Sequence, residues 1–141
     1  MRKLFAAVWM KSEKGERKIR KSINFRNLFF IFLVVLVIIL IFTFLDYLIH
    51  LLKEDYSVPF YYFINKIIFG TGIGFIVYLF VREKRLLTKS LIFSAVISVL
   101  LQMRYFLEGF SIKFVLEFLI IHFFILVVLS LIIFRLFKNK I

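Results

Sequence analysis

Asp46 and His50 stand four residues apart, so a helix through them would present a carboxylate and an imidazole on one face. Such a pair can relay a proton, hold a cation or anchor a hydrogen-bond network. Lys66, Gln102, Glu117 and His122 are the other strongly polar residues set within long apolar runs. Together the six form a candidate polar pocket or ion-pair network. Ionisable side chains in such surroundings are costly unless paired or wetted, and they mark either a function or a packed polar network.

Several chemistries can be set aside. Asp46, His50, Glu117 and His122 are metal-ligand types, but only Asp46 and His50 have usable spacing. Glu117 and His122 are five residues apart, about 140° around a helix, and do not share a face. No HExxH motif is present, and neither a metal nor any other cofactor is expected. Ser94 and Ser98 have no histidine or carboxylate in their own segment and no GxSxG elbow, so no catalytic residue is assigned. The segment Gly70-Thr71-Gly72-Ile73-Gly74 is glycine-rich but sits in an apolar helix, which rules out a phosphate loop. The chain has no cysteine, so disulfides and thiolate sites are absent.

The elements that must carry these residues follow from hydropathy. The chain has 141 residues, 63% of them hydrophobic, and a mean hydropathy of +1.01. A soluble domain has about 45–50% apolar residues, so this chain has too little polar surface to cover a globule in water. Four stretches are long enough to cross a hydrocarbon core, which takes about 20 helical residues. They run over 27–52, 58–81, 86–107 and 112–137, the second opened by Ser57 as N-cap with Pro59 in its first turn. The links between them are short, which favours antiparallel neighbours.

Orientation follows from Lys and Arg. Of the 20 basic residues, 16 lie in the leader over 1–26, around the link between spans two and three, or in the tail from Arg135 onward. The positive-inside rule puts those three regions in the cytoplasm. The expected fold class is an all-α membrane protein, a four-transmembrane-helix antiparallel bundle with cytoplasmic N- and C-termini, in the cell membrane. In the leader, Leu4, Phe5, Val8 and Trp9 share a helical face ahead of the basic run Lys11 to Lys21. That pattern fits an interfacial amphipathic helix on anionic lipid headgroups, and equally a basic tail that only fixes orientation. The formal net charge of +12 is then a topology signal, and no nucleic-acid partner is expected.

Spacing also suggests who meets whom. At about 1.5 Å per residue, Asp46 lies about 9 Å, Lys66 about 12 Å and His122 about 15 Å below the outer surface. The polar groups thus occupy the outer half or the centre. Asp46 and Lys66, on consecutive spans, are predicted to form a buried ion pair. His122 is predicted to hydrogen-bond Ser98, while Lys113 with Glu117 and Arg104 with Glu108 read as rim salt bridges. Gly70 and Gly74 form a GxxxG pair, and Ser90, Ser94 and Ser98 form a small-residue column in the next span. These five are predicted helix-packing positions, the glycine column facing the serine column.

Two functional classes fit. One is a small, oligomeric transport or permeation component with an outward-facing polar pocket. The other is a non-catalytic accessory or scaffold subunit of a larger membrane complex. The partners expected are the lipid bilayer and either a second copy of the chain or another membrane protein.

Overall fold

The computed structural model describes residues 24–138. The leader helix expected over 1–26 falls almost wholly outside them, as does the tail beyond Lys138. Within this range the chain is all-helical: α1 (Phe25–His50), a 3-10 turn (Glu54–Tyr56), α2 (Tyr61–Val81), α3 (Leu86–Leu107) and α4 (Ile112–Leu136). All four helices are long and apolar enough to cross a membrane. The shortest has 21 residues and spans about 32 Å at 1.5 Å per residue, against a hydrocarbon core of about 30 Å.

The helices form a ring, each packed against the next in sequence, with α4 closing on α1 and the largest interface between α3 and α4. Val35, Ile38, Ile39, Phe42, Phe93, Ile97 and Leu126 make one apolar core. Tyr62, Tyr105, Phe114 and Phe118 make a second, aromatic one. The outer faces carry large exposed apolar side chains such as Phe44, Ile68, Phe80, Phe124 and Ile132. Water would penalise that surface, whereas hydrocarbon would not.

Two links differ from expectation. α2 starts at Tyr61 and not at Val58. Val58 precedes a proline, a position that disfavours the α conformation, and Ser57 instead closes the 3-10 turn by donating its backbone N–H to Glu54 O at 2.9 Å. α1 likewise ends at His50, two residues early. At the end of α3, Gly109 adopts φ +86, a left-handed conformation that side chains beyond glycine disfavour. Phe110 N–H then reaches Tyr105 O and Gly109 N–H reaches Phe106 O, both at 3.1 Å. This is a Schellman ending, sealed by the Phe110 ring against Tyr105, with centroids 5.2 Å apart. Ser111 then caps α4, its hydroxyl accepting from Phe114 N–H at 3.3 Å.

The expected glycine-to-serine seam between α2 and α3 is not what forms. A Cβ added at Gly70 would lie 3.3 Å from Ile39 of α1, and one at Gly74 would lie 2.9 Å from Val35 of α1. The glycine column therefore admits branched side chains of α1, with Phe93 and Ile97 of α3 also close to Gly74. The serine column turns to α4, where Ser94 Oγ is 3.4 Å from Ser130 Oγ. In a ring of four, each helix has two neighbours, and a small-residue column alone does not say which one it faces. Ser90, Ser94 and Ser98 are all buried.

Candidate functional site

Asp46 is the hub of the polar cluster. It projects from the last turns of α1 and is fully buried. Its Oδ2 accepts from the Lys66 ammonium of α2, and His122 Nε2 of α4 lies 2.5 Å from Oδ1. One turn further along α1, His50 brings its Nε2 to 3.6 Å from Asp46 Oδ2. Gln102 of α3 completes the group, its amide Nε2 being 2.7 Å from His122 Nδ1. All four helices therefore contribute a polar side chain to one buried site, and every one of these side chains belongs to a residue no more than 5% exposed.

The surroundings explain how a charge persists here. Lys66 Nζ lies 5.3 Å, 5.5 Å and 5.9 Å from the ring centroids of Phe63, Tyr105 and Phe42. Ring faces attract an ammonium, so the cation is held by a carboxylate on one side and aromatic walls on the others. The Lys66–Asp46 pair is formally neutral, which lowers the cost of placing it among apolar neighbours. Satisfaction is incomplete, however. Among the described residues, Thr43 Oγ1, His50 Nε2, Gln102 Oε1 and Tyr105 OH are buried side-chain atoms of this region without a hydrogen-bond partner.

His50 also faces the bundle end that carries the α1–α2 and α3–α4 links. Its Nδ1–H donates to the backbone carbonyl of Tyr56, at the end of the 3-10 turn. The early end of α1 makes this bond possible, because the link can fold back over the imidazole. Phe118 stacks on the His50 ring at 4.4 Å and an interplanar angle of 10°. Phe114 packs on Phe118 at 4.5 Å, and Tyr56 meets Phe118 edge-on at 5.2 Å. These rings form a plug over the cluster. Beyond the plug lies an open polar cavity of about 410 Å³, lined by Lys53, Asp55, Tyr56, Ser111, Lys113, Phe114 and Glu117 among others. A second cavity of about 300 Å³ opens between α2 and α3, mostly apolar, and Lys66 lies on its wall.

Glu117 stands apart from the other candidates. It lines the cavity and not the cluster, accepts from Tyr56 OH at 3.5 Å, and pairs loosely with Lys113 at 3.9 Å. The angular offset between Glu117 and His122 accounts for this, since only one of them can face inward. The predicted His122–Ser98 bond is absent. Ser98 Oγ donates to the Ser94 carbonyl of its own helix at 2.7 Å, as intrahelical serines often do, and the longer Gln102 reaches His122 instead. Arg104 and Glu108 pair at 2.8 Å on a partly exposed face. Sequence reasoning missed Tyr56, Phe118, Tyr105 and Ser130. Only Ser130 carried a sequence signal, as a lone hydroxyl in an apolar run.

No protein-family model matches the chain, and no curated protein or solved structure is significantly similar to it. The functional reading therefore rests on geometry alone.

Proposed function

We propose that this is a multi-pass protein of the cell membrane, an antiparallel four-helix bundle with both ends in the cytoplasm. In this reading it serves as a small transport or permeation component. The link-lined cavity faces outward, the Asp46–Lys66–His122–Gln102 cluster is the binding site in an occluded state, and Tyr56, Phe114 and Phe118 are the plug between them. The observation that carries the reading is an open polar cavity whose ring wall, Tyr56 and Phe114, packs on Phe118, which in turn stacks on His50 beside the buried charged cluster. Four helices are few for a complete pathway, so the working unit is an oligomer.

The alternative is a scaffold whose cluster only fixes helix register. The complete burial of Asp46 and His122 favours it, since a purely structural network has no need of water. Water access separates the two readings, and the absence of native cysteine makes it measurable. Single cysteines at Glu54, Ser111, Thr43, Gln102 and Lys84 are labelled with a membrane-impermeant thiol reagent in intact cells. The transport reading expects fast labelling at Glu54 and Ser111, slower but finite labelling at Thr43 and Gln102, and none at Lys84. Complete protection of Thr43 and Gln102 would leave the scaffold reading. Labelling of Lys84 from outside would overturn the orientation.

A further inference from the structure

The chain contains only two histidines, and both converge on one carboxylate. His50, Asp46 and His122 each offer a ligand atom, and the three atoms lie within 4.8 Å of one another. From this convergence we infer that the cluster is a binding site for a divalent first-row transition ion of the Zn2+ type, in which the Lys66 ammonium is the built-in competitor for Asp46. This names the ion class for the transport reading, and so rests on it for meaning. Binding itself can be tested without any flux.

Three observations carry the inference. First, His50 is oriented as a ligand. Its Nδ1–H is committed to the Tyr56 carbonyl, which leaves the Nε2 lone pair facing Asp46, buried and without a hydrogen-bond partner. A metal-bound histidine almost always donates its other ring N–H to such an oxygen. Second, His122 has an equivalent support available. Gln102 Oε1 is also buried and unpartnered, and a half-turn of that amide would let Oε1 accept from His122 Nδ1–H. His122 Nε2, now bonded to Asp46 Oδ1, would then be free to bind. Third, the cationic position is already marked by Lys66 on Asp46 Oδ2. Its side chain borders the cavity between α2 and α3, so the ammonium has space to withdraw when an ion takes its place.

Two imidazoles and one carboxylate suit Zn2+ or Co2+ and disfavour Mg2+ and Ca2+, which take mainly oxygen ligands. The cavity of the link end, with Asp55 and Glu117 on its wall, supplies the approach from water. Three protein ligands leave a fourth position for water or a transported counter-ligand.

The test uses the full-length chain in detergent with any polyhistidine tag removed. Co2+ is titrated and followed by its visible d–d absorption, then displaced with Zn2+, and Mg2+ serves as control. One saturable Co2+ site per chain is expected, displaced by Zn2+ and not by Mg2+. His122→Asn and His50→Gln should each weaken it by about a hundredfold or more, since even the loss of an outer supporting group costs about 10–100-fold. Lys66→Met should tighten it, because it removes the competitor and changes no ligand. Circular dichroism checks that each variant is folded. Should Lys66→Met fail to fold, the wild-type titration and the His50→Gln variant at the edge of the cluster decide. Absence of a d–d band in both wild type and Lys66→Met overturns the inference, as does binding that survives His50→Gln and His122→Asn unchanged. Metal binding without flux in liposomes would keep this site and discard the transport reading, whereas flux of another solute without metal binding would do the reverse.

Discussion

The Asp46–Lys66 pair offers the most quantitative test of the packing argument. Both side chains are nearly or fully buried, at 0% and 2% exposure, so each charge is balanced mainly by its partner and not by bulk solvent. Breaking a buried ion pair from one side costs about 3–5 kcal/mol, chiefly for the charge left behind. Lys66→Met leaves the Asp46 carboxylate with His122 as its one close hydrogen-bond partner. Asp46→Asn leaves the ammonium among three aromatic rings, and although a desolvated ring contact is worth about 2 kcal/mol or more, no carboxylate remains beside it to balance the charge. The double variant strands no charge. The amide that replaces the Asp46 carboxylate can still accept from His122, and the remaining cost is that of an imperfectly satisfied amide, about 1–3 kcal/mol. The double variant should therefore be more stable than either single one, with a coupling energy of several kcal/mol. The assay is reversible unfolding in mixed micelles titrated with SDS, read by circular dichroism, with chelator present so that no bound ion compensates. If the single effects add to within about 0.5 kcal/mol, as independent sites do, the two residues are not a coupled pair.

Other outcomes follow from the same geometry. Gly74→Ala should cost about 1–3 kcal/mol by overpacking, because its Cβ would meet Val35 at 2.9 Å, Phe93 at 3.2 Å and Ile97 at 3.3 Å. Gly72→Ala meets nothing within 4 Å and should be neutral or stabilising by up to about 1 kcal/mol, so the same unfolding assay should separate two glycines of one helix. Phe118→Ala removes the ring stacked on His50, and it should speed thiol labelling of a Gln102→Cys reporter from the link-lined cavity. An unchanged rate would mean that Phe118 is not part of the barrier. Glu108→Gln should change stability by less than about 1 kcal/mol, since the Arg104–Glu108 pair is about one-third exposed on each side.

The helices were legible because hydrophobic length is a property of the chain itself. The apolar run expected over 27–52 is one long helix whose ends fall at Phe25 and His50, and α3 and α4 start where the apolar pattern starts. Asp46 and Lys66 were also foreseeable as partners, since a short link makes α1 and α2 neighbours and helix rise puts both residues at similar depth. What the sequence withheld was the rotation of each helix about its own axis. That angle decides whether Gly74 meets α1 or α3, and whether His122 finds Ser98 or Gln102. It is set by side-chain packing around the whole ring, which no single segment encodes. The turn over His50 was hidden for a different reason. It depends on Val58 being held out of the helix by Pro59, so that a backbone carbonyl and not a side chain becomes the partner of the imidazole. That carbonyl turns a lone membrane histidine into an oriented one. With Nδ1 held by the Tyr56 carbonyl, Nε2 faces Asp46 Oδ2 at 3.6 Å without a hydrogen-bond partner. If His50 were there for packing alone, a phenylalanine on the Phe118 stack would serve as well, and His50→Phe should leave both stability and Co2+ binding intact. Loss of the Co2+ site with folding preserved would show that the ring's nitrogen, and not its shape, is what the fold holds in place.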